Sequence, residues 1–332
     1  MAEQRVRDAA DSKDEPVIQH LYGIDIRTRW AVTGVAVRSE GPWDVELAEG
    51  DTVALAAAAA YVPPAHARSW AQHAALPDGS TYRRWTDLFE FLVSPDARHI
   101  QARTLTDGCR EALLAYLLVD ALALSMVQLG WEPLHATAVL TMHGVVGFIG
   151  ESGEGKSTLG ALFVAGGCPL VTDDMLVLRA TRQGFLAEPG PPRIKLYRDI
   201  AARIFGSGRT GVPMNPATAK LIIPLADHDA VREAHPLAAL YLIAEDRTGD
   251  AIARPSIRRL SPSTALPRIL ASTAPHYPSR PERIRNQFAF VTDLVRRVPI
   301  KTLSYPRDTE RMSSLPDVVL ADLAASAAGH PA

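Results

Sequence analysis

Apolar and polar residues alternate with the period of a strand over residues 21–37, where Tyr22, Ile24 and Ile26 are followed by Trp30, Val32, Val35 and Val37. Gly41 and Pro42 mark a turn, residues 43–47 predict another strand, and residues 85–93 (Trp-Thr-Asp-Leu-Phe-Glu-Phe-Leu-Val) predict a third. The front of the chain therefore predicts a β-rich region, and it offers no acid/base or metal-ligand constellation. Over residues 107–129 the period becomes helical, with Leu113, Leu114, Leu117, Leu118, Ala121 and Leu124 on one broad apolar face. That helix is expected to pack against the sheet of the second half.

Residues 134–178 predict a β-turn-β-loop-α-β unit. Gly166 and Gly167 stop its helix, residues 169–172 form a brief strand, and Asp173 and Asp174 stand at the far end of that strand. Residues 220–225, 237–244 and 298–304 predict further strands, with a polar, Pro- and Arg-rich stretch at 262–285. The organisation expected is a flexible tail at 1–19, a β-rich region at 20–105, one α/β domain at 106–323 and a frayed tail at 324–332. No internal repeat is visible.

The apolar segment 112–129 carries Asp120, Ser125 and Gln128, and the alanine run 56–60 ends at Pro63 and Pro64, so neither predicts a membrane span. No signal peptide is visible in the charged first residues. The 332 residues are 47% apolar and 22% charged, which suits a soluble globular chain with a sizeable core. A net charge of −2 gives no global reason to expect nucleic acid as a partner. Cys109 and Cys168 lack C-x-x-C spacing and suit buried thiols in a reducing compartment; the expected address is cytoplasmic, with no membrane partner.

Residues 150–157 (Gly-Glu-Ser-Gly-Glu-Gly-Lys-Ser) spell the phosphate-cradling loop G-x-x-x-x-G-K-[ST], between an apolar strand at 145–149 and a helix-forming run from Thr158. Strand, glycine loop and helix together point backbone N–H groups and a positive helix end at a polyphosphate. The cofactor-binding candidates are Gly150, Glu151, Ser152, Gly153, Glu154, Gly155, Lys156, Ser157 and Thr158, with ATP and Mg²⁺ as the expected ligands. Lys156 would reach the β/γ-phosphates and the Ser157 hydroxyl would bind the metal. One helix and one short strand return the chain to this loop, so Asp173 and Asp174 can meet the γ-phosphate and its metal, or take a proton from an attacking hydroxyl. An ordinary aspartate turn is the alternative. His135, at the head of the preceding strand pair, suits either a phosphate contact or a satisfied half-buried histidine. His143, at the turn, suits simple exposure.

His135, residues 150–157 and the Asp173–Asp174 pair together resemble the catalytic domain of HPr kinase/phosphorylase. The fold implied is α/β: an HPr kinase / phosphoenolpyruvate carboxykinase-like P-loop domain, here behind a β-rich N-terminal part, with the loop in a mixed or antiparallel sheet. The resemblance implies that Lys156 stabilises the transferring phosphate, and that Ser157 and Asp173 hold Mg²⁺. It also implies that Asp174 accepts the proton of a substrate serine and that His135 supports the phosphate. The family's Glu-x-Arg-Gly signature is missing; the comparable stretch runs from Glu188 to Asp199 without the Arg-Gly step. A closer resemblance is to the HPr-kinase-like proteins of lasso peptide biosynthesis. It rests on Leu134-His135-Ala136, residues 150–159, Thr172-Asp173-Asp174 and residues 191–196, and it covers about residues 85–320. It implies a serine kinase acting on a ribosomally made precursor peptide, at or near a C-terminal serine.

Arg193, Lys195 and Lys220 are candidates for clamping a phosphate or a peptide carboxylate, against the alternative of a solvated strand face. Arg280, Arg283 and Arg285, and more weakly Arg307, are further cationic candidates. The expected partner is a peptide or small protein with an acceptor serine, and a homo-oligomer is compatible with the sequence. A small-metabolite or HPr-type protein kinase, and a nucleotide-gated peptide-binding protein with little transfer, stay open as alternatives.

Overall fold

Left-handed turn residues cut the first half of the chain into hairpins. In the computed structural model, which describes residues 15–66, 68–106, 110–206, 208–215, 218–243, 254–273, 281–306 and 312–328, the chain divides into two units, Met1–Ser125 and Met126–Ala332. Cys109, Arg280 and Arg307 lie outside the described residues. The first unit holds an eight-stranded sheet, order β3-β1-β2-β4-β8-β7-β6-β5, built from β1 (Val17–Leu21), β2 (Ile24–Thr28), β3 (Val37–Arg38), β4 (Val45–Glu49), β5 (Ala71–Ala75), β6 (Thr81–Trp85), β7 (Phe89–Val93) and β8 (His99–Thr104). Tyr22 (φ 57°) and Gly23 (φ 77°) make the tight β1–β2 turn. Asp87 (φ 60°) turns β6 into β7, so the single strand expected over residues 85–93 is the end of one strand and the whole of the next. Aspartate tolerates that conformation, and this is why the break carries no glycine signal.

Helix α1 (Thr52–Ala59) is capped by Asp51, whose carboxylate accepts from the N–H groups of Val53 and Ala54 at 2.7 and 2.9 Å. The long helix expected over 107–129 is α2 (Arg110–Tyr116), a π-helical turn at Leu117–Ala121, and α3 (Leu122–Gln128). Tyr116 stacks on Trp85 and Phe89, so this end of the helix packs on the first sheet. The unit boundary at 125/126 puts most of the helix with the β-rich part instead of at the head of the domain expected from 106.

The second unit is a mixed sheet with helices on both faces. Its strands are β9 (Ala136–Thr141), β10 (Gly144–Ile149), β11 (Leu170–Thr172), β12 (Val177–Ala180) and β13 (Phe185–Glu188), followed by β14 (Arg193–Tyr197), β15 (Val212–Asn215), β16 (Thr218–Pro224), β17 (His235–Ile243), β18 (Ser256–Arg259) and β19 (Ile300–Ser304). The main path runs β11-β9-β10-β17-β13-β12, and β19 joins β17 and β18. β10 and β19 each run parallel to β17; β9 pairs antiparallel with both β10 and β11. β14, β16 and β15 form a separate antiparallel sheet.

β10 is apolar on both sides because both sides are covered. Val146 and Phe148 enter one core with Leu159 and Phe163 of α4 (Lys156–Ala165), while Val145 and Ile149 enter another with Ile269 and Leu294. Those last two belong to α6 (Pro262–Ser272) and α7 (Pro281–Arg297), separated in sequence from α4 by α5 (Arg198–Phe205). The Pro- and Arg-rich stretch at 262–285 is thus a helix and the start of another, with Ser261 capping α6 and Pro262 opening it. Of the tail expected to fray at 324–332, residues 324–328 continue α8 (Leu315–Ala328) and 329–332 lie outside the described residues. Lys301 donates to Asp322 and to Ser326 Oγ at 2.5 and 2.8 Å, and Tyr241 donates to Asp322 at 2.6 Å, which fastens α8 to β17 and β19. Burial pushes the Tyr241 phenol up, so it stays a donor.

Gly160 lets α4 approach β9 closely: a Cβ there would lie 2.5 Å from Thr137 Cγ2, and the Thr137 hydroxyl is already committed to Asp173. Alanine in place of a free mid-helix glycine adds roughly 0.5–1 kcal/mol of stability. Gly160→Ala is expected to do the opposite and cost about 1–3 kcal/mol through overpacking. Urea unfolding checks the sign; a more stable variant would contradict this packing.

Candidate active site

β10 ends at Ile149 and hands the chain to the glycine loop, where Gly153 (φ 89°) and Gly155 (φ 90°) take left-handed conformations. These turn successive backbone N–H groups toward one point, and α4 begins immediately at Lys156. Glu151, Ser152 and Gly153 form an exposed crest, while Glu154 is buried beneath it. The Glu154 carboxylate accepts from the Glu151 N–H at 2.5 Å, in space that a Cβ on Gly150 would occupy at 2.2 Å from Glu154 Oε2. Tyr305, just past β19, donates its hydroxyl to the Glu154 carbonyl at 3.1 Å. The loop is therefore braced by its own acid and by a distant tyrosine.

Lys156 Nζ donates to the carbonyls of Gly150 and Glu151, both at 2.8 Å. Burial pushes its pKa down, against the pull of the nearby carboxylates of Asp174, Asp173 and Glu154. Thr158 opens the first turn of α4 beside Ser157.

Antiparallel pairing of β11 with β9, and of β9 with β10, returns Asp173 to the loop. Asp173 is buried and accepts from three elements at once. Thr137 Oγ1 and Ser157 Oγ donate to its Oδ1 at 2.6 and 2.8 Å, and the Lys195 N–H donates to its Oδ2 at 3.0 Å. Burial, together with the charge of Asp174, pushes its pKa up. Asp174 is left-handed (φ 70°), and this bend sends its two ends to different partners. Its carboxylate meets Lys195 Nζ at 2.6 Å, and its carbonyl accepts from His135 Nδ1 at 2.9 Å. Burial alone would raise the Asp174 carboxyl, but the Lys195 ammonium outweighs it and brings the pKa down to about 2.

A carbonyl can only accept, so His135 carries its proton on Nδ1 and a lone pair on Nε2. Burial, and next the Lys156 charge, lower its pKa and favour the neutral ring. On β14, Ile194 and Leu196 point into the core while the alternating Lys195 points at the aspartates. Lys220, paired across from Tyr197 with its ammonium 5.6 Å from that ring, is close enough for its charge to act on both Lys156 and Asp174.

The structure thus gathers the loop, Lys156, Ser157, His135, Asp173, Asp174, Lys195 and Lys220 at one place. Arg193 is on the same strand as Lys195, two residues earlier and half-buried. Glu188 is drawn away by Arg179, whose Nε lies 2.7 Å from it. Arg283 lies 3.7 Å from the buried Glu132, while Arg285 is exposed. His143 is half-buried at its turn. Thr137, Tyr305 and the Lys195 N–H escaped the sequence reading. Thr137 had a weak signal, lying two positions after His135 on the same strand; Tyr305 had none.

Lys156, Lys195 and Lys220 face the carboxylates of Asp173, Asp174 and Glu154, so the site carries three ammonium groups that a polyphosphate can draw on. Ser157 Oγ and Asp173 Oδ1, 2.8 Å apart, are hard oxygen donors of the kind Mg²⁺ takes in ones and twos beside phosphate oxygens. The described residues contain no cluster of three or more His, Cys, Asp or Glu able to form a closed metal cage. They also contain no helix long and apolar enough to cross a membrane.

No protein-family model matches the chain, and no curated protein matches it. Among solved structures it is similar to the HPr(Ser) kinase/phosphatase from Coxiella burnetii, at 12% identity over 59% of this chain and 99% of that one, with a TM-score of 0.34. So loose an overlay carries no assignment, and the chemistry rests on the side chains themselves.

Without Lys195, burial would act on Asp174 against only the weaker pull of His135 and Lys220. Lys195→Met is therefore expected to lift the Asp174 carboxyl well above about 2, and to cost about 3–5 kcal/mol at neutral pH for an orphaned buried charge. In the wild type the depressed pKa means that the pair's stabilisation is present above the ordinary carboxylate range and is lost as the pH falls toward about 2. Carboxyl carbon NMR titration checks this; an unmoved Asp174 in the variant would contradict the pairing.

Proposed function

We propose that the second unit is a phosphotransferase that moves the γ-phosphoryl group of ATP to a serine hydroxyl. The observation that carries the reading is the 2.8 Å contact between Ser157 and Asp173 at the mouth of a glycine loop flanked by Lys156, Lys195 and Lys220. Backbone N–H groups of residues 153–157 would cradle the phosphates. Ser157 and Asp173 would hold Mg²⁺, whose chemistry is to neutralise phosphate charge. The Lys156 ammonium would leave the loop carbonyls for the better acceptors on the triphosphate and spread the charge that develops during transfer. Lys195 and Lys220 would steady the phosphate or the acceptor from the other side.

The acceptor in this reading is a ribosomally made precursor peptide of the lasso type, modified at or near its C-terminal serine in the cytoplasm. That choice rests on the motif resemblance at residues 134–136, 150–159, 172–174 and 191–196. The same resemblance gives the proton of the serine to Asp174.

The test is intact-mass analysis of candidate acceptors after incubation with Mg²⁺ and ATP: a lasso-type precursor ending in serine, its serine-to-alanine version, HPr, and small hydroxyl metabolites. One phosphate on the serine peptide alone is the expected result, with Lys156→Ala slowing transfer roughly 100-fold or more. Phosphate on HPr or on a metabolite would replace the acceptor, and ATP binding without transfer to any hydroxyl would replace the kinase by a nucleotide-gated binder.

A further inference from the structure

Of the three lysines at the site, two already have acceptors. Lys156 donates to two carbonyls of its own loop, and Lys195 is paired with the Asp174 carboxylate at 2.6 Å. The Lys220 ammonium has neither a hydrogen bond nor an ion pair among the described residues; it lies over the Tyr197 ring, 5.6 Å from the centroid. A half-buried ammonium so placed is a seat for an anion that arrives with a ligand.

Sheet register places this lysine relative to the aspartates. Ile194 and Leu196 of β14 and Leu221 and Ile223 of β16 enter the core, so the alternate residues form the opposite face. On that face Lys195 pairs with Ile222, Ile222 with Val212 of β15, and Tyr197 with Lys220. Lys220 is thus the diagonal neighbour of Lys195, roughly 7–8 Å away between backbones, on the face whose Lys195 meets Asp174. Arg193 stands at the other end of β14, opposite Pro224. Beside Lys220 the face is apolar and open, with Tyr197 48% exposed and Val212 44%. Phosphate oxygens draw nothing from such a surface, whereas the end of a peptide brings a carboxylate and adjoining carbon together.

We infer that this face is the acceptor's subsite, in which Lys220 pairs with the terminal carboxylate of the peptide while Tyr197 and Val212 cover the apolar surface beside it. The inference rests on the reading above, in which Asp174 takes the proton of the serine; the face then lies on the acceptor's side of the phosphorus. The diagonal spacing of Lys195 and Lys220 suits the short reach from a serine hydroxyl to the carboxylate of the same residue. An internal serine presents a neutral amide there and leaves the Lys220 charge unmatched, so the subsite selects a serine at the chain end.

The test is steady-state transfer from ATP and Mg²⁺ to two peptides that differ only at the end, one with a free C-terminal serine carboxylate and one with the serine amide. Wild type, Lys220→Met, Lys220→Arg and Tyr197→Ala are compared, with the ATP KM measured for each. A charged hydrogen bond is expected to place the KM of the free acid roughly 10-fold or more below that of the amide in the wild type. In Lys220→Met the two KM values are expected to converge, and Lys220→Arg is expected to restore most of the difference. Tyr197→Ala is expected to weaken both peptides together. Equal KM values in the wild type, or a difference that survives Lys220→Met, would overturn the subsite and leave the kinase standing. So would a loss in Lys220→Met carried by the ATP KM, which would give Lys220 to the nucleotide. Failure of the wild type to modify either peptide would overturn the peptide-kinase reading, and this subsite with it.

Discussion

A carboxylate sealed from water costs several kcal/mol unless donors surround it, and Asp173 is the place where this chain meets that requirement. Its donors come from β9, from the first turn of α4 and from the backbone of β14. Each donor fixes something else. Thr137 sets how closely α4 can lie on β9, Ser157 sets the start of the helix that ends the glycine loop, and the Lys195 N–H sets the height of β14. With β14 in that register, alternation alone brings the Lys195 side chain to Asp174. The site is assembled around one buried charge: the mixed sheet brings β9 and β11 to it, the separate three-stranded sheet brings β14, and the glycine loop brings the start of α4.

The second organising feature is a set of three lysines held in reserve. Lys156 donates to two carbonyls of its own loop, a weak arrangement for an ammonium that burial already disfavours. Lys195 is balanced by Asp174, and Lys220 lies above Tyr197. A triphosphate with its metal, together with a peptide carboxylate, would give these lysines stronger acceptors without any change in backbone. The loop itself is held from behind by Glu154 and Tyr305, so its N–H groups need no reorganisation.

The loop and the aspartate pair were legible because both are local: a left-handed glycine, a lysine and a hydroxyl at fixed spacing, then two acids one helix and one strand later. The β-strand, loop and helix around them follow from apolar runs bounded by glycine. What stayed hidden depends on chain segments remote in sequence. Tyr305 touches Glu154 from across the sheet, Thr137 acts through one hydroxyl, and the role of Lys195 as partner of Asp174, instead of a free phosphate clamp, depends on the register of a separate three-stranded sheet. The misread elements have equally physical causes. Asp87 turns a hairpin without glycine, and α6 hides in a Pro- and Arg-rich stretch whose apolar face is only Ala265, Leu266, Ile269 and Leu270.

The central claim is that this constellation binds a metal–nucleoside triphosphate. Calorimetric titration of the full chain with ATP, with and without Mg²⁺, tests it most directly when repeated on Ser157→Ala. The account predicts that Mg²⁺ tightens ATP binding to the wild type and that most of this gain is lost in the variant. No binding by the wild type, or binding indifferent to both Mg²⁺ and Ser157, would contradict it.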